Sequence, residues 1–181
     1  MLFQYTTIII KGIYNLYEGC GFYINQLKLN PHPEGGFYAE TYRSPGIIPA
    51  NALQEFDGAR HYSTAIYYLL EQGDFSAFHK IKSDECWHYY AGDTLLIHVL
   101  HNDGTYQCVQ LGLAINKDET FQFVVTANTW FAAECAADSR FVLTGCTVAP
   151  GFDFADFEMA DKYSLAREFP AHRAIISRLC R

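Results

Sequence analysis

The feature that most constrains this chain is a cadence of short apolar and aromatic runs. Turn residues close each one, and no helical pattern intervenes between residues 37 and 148. FYAETYR (37–43), HYSTAIYYLL (61–70), TLLIHVLH (94–101) and RFVLTGCTV (140–148) are the clearest strands, rich in β-branched and aromatic residues. Asn102-Asp103-Gly104 marks a hairpin between the 94–101 strand and a return over 106–113. Further runs at 120–126 and 130–133 flank Ala127-Asn128. Strands recurring at roughly eight to twelve residues predict an all-β barrel or sandwich.

The ends read differently. Residues 22–29 form a short helix with Ile24, Leu27 and Leu29 inward, stopped by Asn30-Pro31-His32-Pro33. Residues 161–169 and 172–179 have helical spacing, so one or two C-terminal helices are expected. Residues 1–21 read as an N-terminal extension, and 22–181 as a single domain. Residues 44–58 form a loop of a length often used as a lid.

Charge narrows the partners. Thirteen Lys and Arg face twenty Asp and Glu, a net charge of -7 with no basic run, which argues against nucleic acid. No stretch is long and apolar enough to span a bilayer, and residues 1–16 lack the features of a signal peptide, so a cytoplasmic protein without a membrane partner is expected. The six cysteines, Cys20, Cys86, Cys108, Cys135, Cys146 and Cys180, form no CxxC and read as reduced core residues.

Function concentrates in GDFSAFHKIKSDECWHYYAGD (73–93). Alternation puts His79 and Ile81 on one strand face, and Glu85, Trp87 and Tyr89 on one face of the next. If these strands pair around Ser83-Asp84, His79 and Glu85 point into one cavity.

The spacing Gly73, His79, Ile81, Glu85, Gly92 resembles the first motif of the cupin superfamily, with Ile81 where that pattern has a second His. The fold this implies is a double-stranded β-helix, a cupin or jelly-roll barrel. Metal-binding cupins commonly use two His and a Glu from this motif and a His from a second motif. At the spacing of the second motif this chain has Thr120, Thr126, Asn128, Phe131 and Cys135, so Phe131 stands at the histidine position. Of the four ligands His79 and Glu85 remain as weak metal candidates, with His98 or His88 as substitutes for the missing ones and His88 predicted to face away from Glu85, and no metal or other cofactor is expected. A plain hydrogen-bonded His79–Glu85 pair is the preferred reading.

Without metal, the arrangement resembles the deoxysugar 3,5-epimerase branch of the cupins. That resemblance implies a His base, a Tyr acid and cations for nucleotide phosphates. His79 is then the base, Glu85 its orienter, and Tyr38, Tyr67 or Tyr89 the acid, with Tyr89 taken as the catalytic choice. Tyr38, Arg43, Trp87 and Phe131 are the substrate-binding candidates, and Arg60 and Lys80 are further cations nearby. PHPEGGFYAETYR (31–43), WHYYAGD (87–93) and GCTVAPGFDFADFE (145–158) together resemble one family of small single-domain cupins of uncharacterised function. The resemblance implies a homodimer and a small-molecule ligand, a nucleotide-sugar among the candidates. Epimerase or isomerase, non-catalytic binding module and degenerate metal enzyme remain open at this point. Glu34 reads as a turn cap or rim residue, and 150–158 as an aromatic clamp against the barrel.

Overall fold

The computed structural model describes residues 19–181; all but the last three residues of the expected extension lie outside them. A short helix α1 (Cys20–Gln26) leads into β1 (Asn30–Pro31) and β2 (Phe37–Arg43). The strands then run β3 (Ile47–Ile48), β4 (Arg60–His61), β5 (Thr64–Glu71), β6 (Phe75–Ile81), β7 (Asp84–Gly92), β8 (Leu95–Leu100), β9 (Tyr106–Leu111), β10 (Gln122–Val125), β11 (Trp130–Cys135), β12 (Phe141–Ala149) and β13 (Phe157–Met159). Helices α2 (Lys162–Glu168) and α3 (Arg173–Leu179) follow.

Two sheets face one another. One has the order β1-β2-β5-β12-β7-β10 and the other β13-β6-β11-β8-β9. This is a jelly roll, the fold that the cupin resemblance implies, and within the all-β barrel or sandwich that the strand cadence predicts. Alternation explains the layers. Tyr68, Trp87, Ile97 and Phe131 point inward and fill the space between the sheets. Phe78, Leu100, Trp130 and Ala132, one residue out of phase, point outward and are covered by Leu165, Ile176 and Leu179 of the C-terminal helices. On the back of the other sheet, Leu69, Phe141 and Leu143 are covered by Tyr23, Ile24 and Leu27 from α1 and its end. No helix among the described residues is long and apolar enough to cross a membrane.

The expected pairing of the two motif strands does not occur. β6 pairs with β11 and β13, whereas β7 pairs with β12 and β10. The short connection at 82–83 is a corner at which the chain changes sheets, as sandwiches allow at a sharp bend. His79 and Glu85 therefore face each other's sheets across the interior instead of lying side by side on one ladder.

A bulge corrects the alternation of β2. The register against β5 shifts between Glu40 and Tyr42, leaving Thr41 as the extra residue. Strict alternation sets Tyr38 and Arg43 on opposite faces; the bulge brings Tyr38, Glu40 and Arg43 to the same cavity.

The loop 44–58 is pinned by the β3–β4 pair and by Arg60, which lies over the Phe56 ring. It contributes no residue to that cavity. The rim is built by residues 152–157, where Phe152, Phe154 and Phe157 form a cluster of edge-to-face rings. Arg60 forks onto Asp156 with two 2.6 Å hydrogen bonds and anchors this segment. Gly151 N–H donates to the His61 carbonyl beside it.

Ile176 is fully buried between α3 and the back of the five-stranded sheet. Ile176→Ala is expected to cost about 2–5 kcal/mol, from lost burial and the cavity left behind. Urea unfolding of the variant measures it, and a smaller loss means that the helix packs loosely.

Candidate functional site

The site starts at a turn. His32 N–H donates to the Gly36 carbonyl, and Gly35 N–H to the His32 carbonyl. Gly36 N–H donates to Asp74 Oδ2 at 2.7 Å, and the Tyr68 hydroxyl donates to the Gly35 carbonyl at 2.7 Å. Gly35 (φ +117°) and Gly36 (φ +69°) are both left-handed, and a Cβ would lie 2.1 Å from the Phe75 carbonyl oxygen or 2.5 Å from that of Leu69. Only glycine fits at either position. The tight fit turns Glu34 inward, where its own carbonyl accepts from Ala77 N–H.

Glu34 is 7% exposed and His79 2%. His79 Nδ1 lies 2.7 Å from the Ala77 carbonyl oxygen, to which it donates, and 2.9 Å from Glu34 Oε2. The second contact is an ion pair off the N–H axis, so Oε2 is buried without a hydrogen-bond partner among the described residues. His79 is packed between two rings, Phe131 at 4.1 Å and Phe157 at 5.2 Å. Burial disfavours the charged ring, but the adjacent Glu34 carboxylate outweighs it and raises the His79 pKa above its ordinary value. The partner agrees: burial pushes Glu34 up, His79 pulls it further down, and its net shift is downward.

His32 sits on the other side of Glu34. Its Nδ1 accepts from Glu34 N–H at 3.3 Å, which leaves the ring proton on Nε2. Burial lowers its pKa, and the neutral ring packs edge-on to Tyr38 at 4.5 Å. Glu85 completes the set from β7. Burial raises its pKa to about 7; His79 pulls it down, Glu34 pushes it up, and a hydrogen bond with the Cys146 thiol pulls it down.

These groups line a cavity of about 260 Å³ between the sheets. Of the residues singled out in the sequence, His79, Glu85, Tyr38 and Arg43 line it. Three others do not. Trp87 is 1% exposed and belongs to the core, as does Phe131 at 0%, which reaches the site only through its ring contact with His79. Tyr89 packs against the same core, and its hydroxyl donates to the Gly92 carbonyl at 2.6 Å, a local bond that turns it from the cavity. Tyr67 lies on the outer face of its sheet beside α1. Tyr38 is the cavity's tyrosine.

The expected phosphate-binding cations are also committed elsewhere. Arg60 is locked to Asp156, and Lys80 pairs with Glu158 at 3.0 Å while lying 4.4 Å over the Trp130 ring. Arg43 lines the cavity but forks onto Glu40 at 2.6 and 3.0 Å. Glu34 is the functional residue that spacing missed. The signal available was the Gly35-Gly36 pair directly after it, which fixes where its backbone must go.

The donor set does not suit a metal. Ile81 and Phe131 offer no lone pairs where cupin ligands stand, and the Phe131 ring abuts His79. No group of three or more His, Cys, Asp or Glu residues with metal-holding geometry exists among the described residues.

Comparison with known proteins agrees with this fold. Residues 22–160 match the family described as Cupin superfamily (DUF985). The chain belongs to that family. A protein of Leishmania major described as hypothetical superposes with a TM-score of 0.83 and 33% identity, covering 90% of this chain and 99% of that one. A protein of Shewanella oneidensis gives a TM-score of 0.81 and 36% identity, covering 91% and 99%. An uncharacterised protein of Saccharomyces cerevisiae is 30% identical over 143 residues, 74% of this chain and 71% of that protein. Oxalate decarboxylase of Bacillus subtilis, at 13% identity and a TM-score of 0.51, shares the fold alone; this chain covers 36% of it. The family and its uncharacterised members set the cupin barrel; they assign no reaction.

The raised Glu85 pKa fixes a stability prediction. The folded state holds this proton where the unfolded chain, with the ordinary value of 4.5, has lost it. Stability is therefore full below about pH 4.5 and falls as pH rises through about 7. Glu85→Gln removes that penalty. Relative to the parent it should gain stability between these pH values, levelling at about 3 kcal/mol. Urea unfolding at pH 4.5 and pH 8 measures the difference; a pH-independent one contradicts the burial of this carboxyl.

Proposed function

We propose that this cupin binds a small polar molecule in the cavity and moves a proton on it, as an isomerase or epimerase acting beside a carbonyl group. The observation that carries the reading is the pairing of two buried ionisable groups, His79 and Glu85, on one small cavity, with both pKa values raised, that of His79 by the Glu34 carboxylate against burial and that of Glu85 by burial to about 7. General acid–base chemistry needs such matched groups.

The roles differ from those the sequence alone suggests. Glu34 shifts His79 toward its charged form, so His79 is the proton donor of the pair, and its ring can polarise a carbonyl oxygen. Glu85, titrating near 7, is the group poised to take a proton from carbon. Glu34 takes the orienting role expected of Glu85. Tyr38 is the hydroxyl available on the cavity wall.

The cavity also bounds the substrate. At about 260 Å³ it is just below the range of about 300–1,000 Å³ that holds drug-sized ligands, and it suits a molecule of monosaccharide size. A nucleoside diphosphate has no place inside it and meets no uncommitted arginine or lysine on its wall. A free sugar or similar polar carbonyl compound is the better candidate than a nucleotide-sugar.

Incubation with a panel of aldoses, ketoses and amino sugars in deuterated water tests this. Protein-dependent exchange of the hydrogen beside the carbonyl is expected, read by proton NMR. Glu85→Gln should slow it about 10²–10⁴-fold. Exchange undiminished in that variant, or none across the panel, removes the proton-transfer reading and leaves a binding module.

A further inference from the structure

The charged groups of the cavity wall do not balance. Four carboxylates line it: Glu34, Glu40, Glu85 and Asp153. Against them stand the Arg43 guanidinium and the His79 ring. Arg43 is spent on its neighbours: Nε and Nη2 donate to Glu40, and Nη1 donates to the Phe152 carbonyl at 3.3 Å. His79 answers the charge of Glu34, but leaves Oε2 buried without a hydrogen-bond partner. Asp153 uses one oxygen to accept from Ala155 N–H, and its other has no hydrogen bond among the described residues. Glu85 has no cation of its own once His79 is paired with Glu34.

The rest of the rim adds to this imbalance. Phe152 and Phe154 meet edge to face, with ring centroids 5.0 Å apart, next to Asp153. The face of an aromatic ring is electron-rich, so it attracts cations and repels anions. Carboxylates that outnumber the cations, beside aromatic faces, make an environment that disfavours an anion. A neutral ligand leaves this excess of negative charge in place, and a cation offsets it.

We propose that the cavity selects a small organic ammonium ion, a primary amine carried on a body of about monosaccharide size, over neutral and anionic compounds of the same shape. The N–H groups of the ammonium supply a donor to Glu34 Oε2 and a second one, beside the Cys146 thiol, to the Glu85 carboxyl, and its charge lies against the Phe152 and Phe154 rings. This deepens the ligand-binding half of the proposed function and rests on the same cavity. It does not depend on proton transfer.

The pH dependence follows from the groups around Glu85. His79, Glu34 and the Cys146 thiol face it. As pH rises through about 7, Glu85 becomes a full anion. An amine that stays charged throughout therefore binds more tightly at pH 8 than at pH 6.

Calorimetric titration of the full chain with cyclohexylamine, cyclohexanol and cyclohexanecarboxylate tests the proposal, since the three differ in charge on one ring. At pH 8 the amine should bind at least about tenfold more tightly than the alcohol, and the carboxylate most weakly. Glu85→Gln and the rim variant Asp153→Asn should each reduce the preference for the amine about threefold or more while leaving cyclohexanol unchanged. Equal or tighter binding of the alcohol or carboxylate overturns the proposal. So does a preference that survives both substitutions, or no saturable binding of the amine. The readout is equilibrium binding, so a protein that selects the amine yet exchanges no hydrogen loses only the acid–base reading.

Discussion

The chemistry of this molecule depends on one ion pair that would be costly to bury in any other form. A carboxylate and an imidazole, each almost without solvent contact, sit 2.9 Å apart between the two sheets. Either one alone would revert to its neutral form, because desolvation disfavours an isolated charge. Together each shifts the other toward its charged form. The Gly35-Gly36 turn, fixed by Tyr68 and Asp74, forces Glu34 inward, and the β6 ladder with β11 and β13 fixes His79 against it.

Around that pair the fold arranges a second carboxyl with a different fate. Glu85 arrives from the opposite sheet because the chain changes sheets at residues 82–83, and it meets a cation already taken. Burial raises its pKa, His79 offsets only part of that, and the Glu34 charge adds to the rise. Two glutamates on one cavity thus differ in charge state at neutral pH through their neighbours alone. Phe131 and Ile81, where metal-binding relatives of the fold carry histidines, keep the surroundings apolar and sharpen the contrast.

Much of the architecture was legible in the sequence, since strand periodicity and turn residues are local signals. The hairpin at Asn102-Asp103-Gly104, the helical C-terminus and the aromatic clamp over 150–158 all stand where the pattern put them. The cavity was half legible. Spacing placed His79 and Glu85 on one cavity, but it supposed that their strands pair, because a turn signal does not say whether a chain folds back or crosses to another sheet. Alternation set Tyr89 beside Glu85, yet its hydroxyl is claimed by the Gly92 carbonyl three residues on. The bulge at Thr41, which gathers Tyr38, Glu40 and Arg43, has no signature of its own. Glu34 was legible as a turn cap or rim residue, but its pairing with His79 was not, because that partner lies 45 residues further along the chain.

The central claim is that Glu34, more than Glu85, shifts His79 toward its charged form. Titration of the His79 ring by heteronuclear NMR, in the parent and in Glu34→Gln, measures it directly. A pKa above the ordinary value of 6.5 in the parent that drops in the variant, where burial acts without the paired carboxylate, is the predicted result. A ring whose pKa is the same in both proteins would contradict the account.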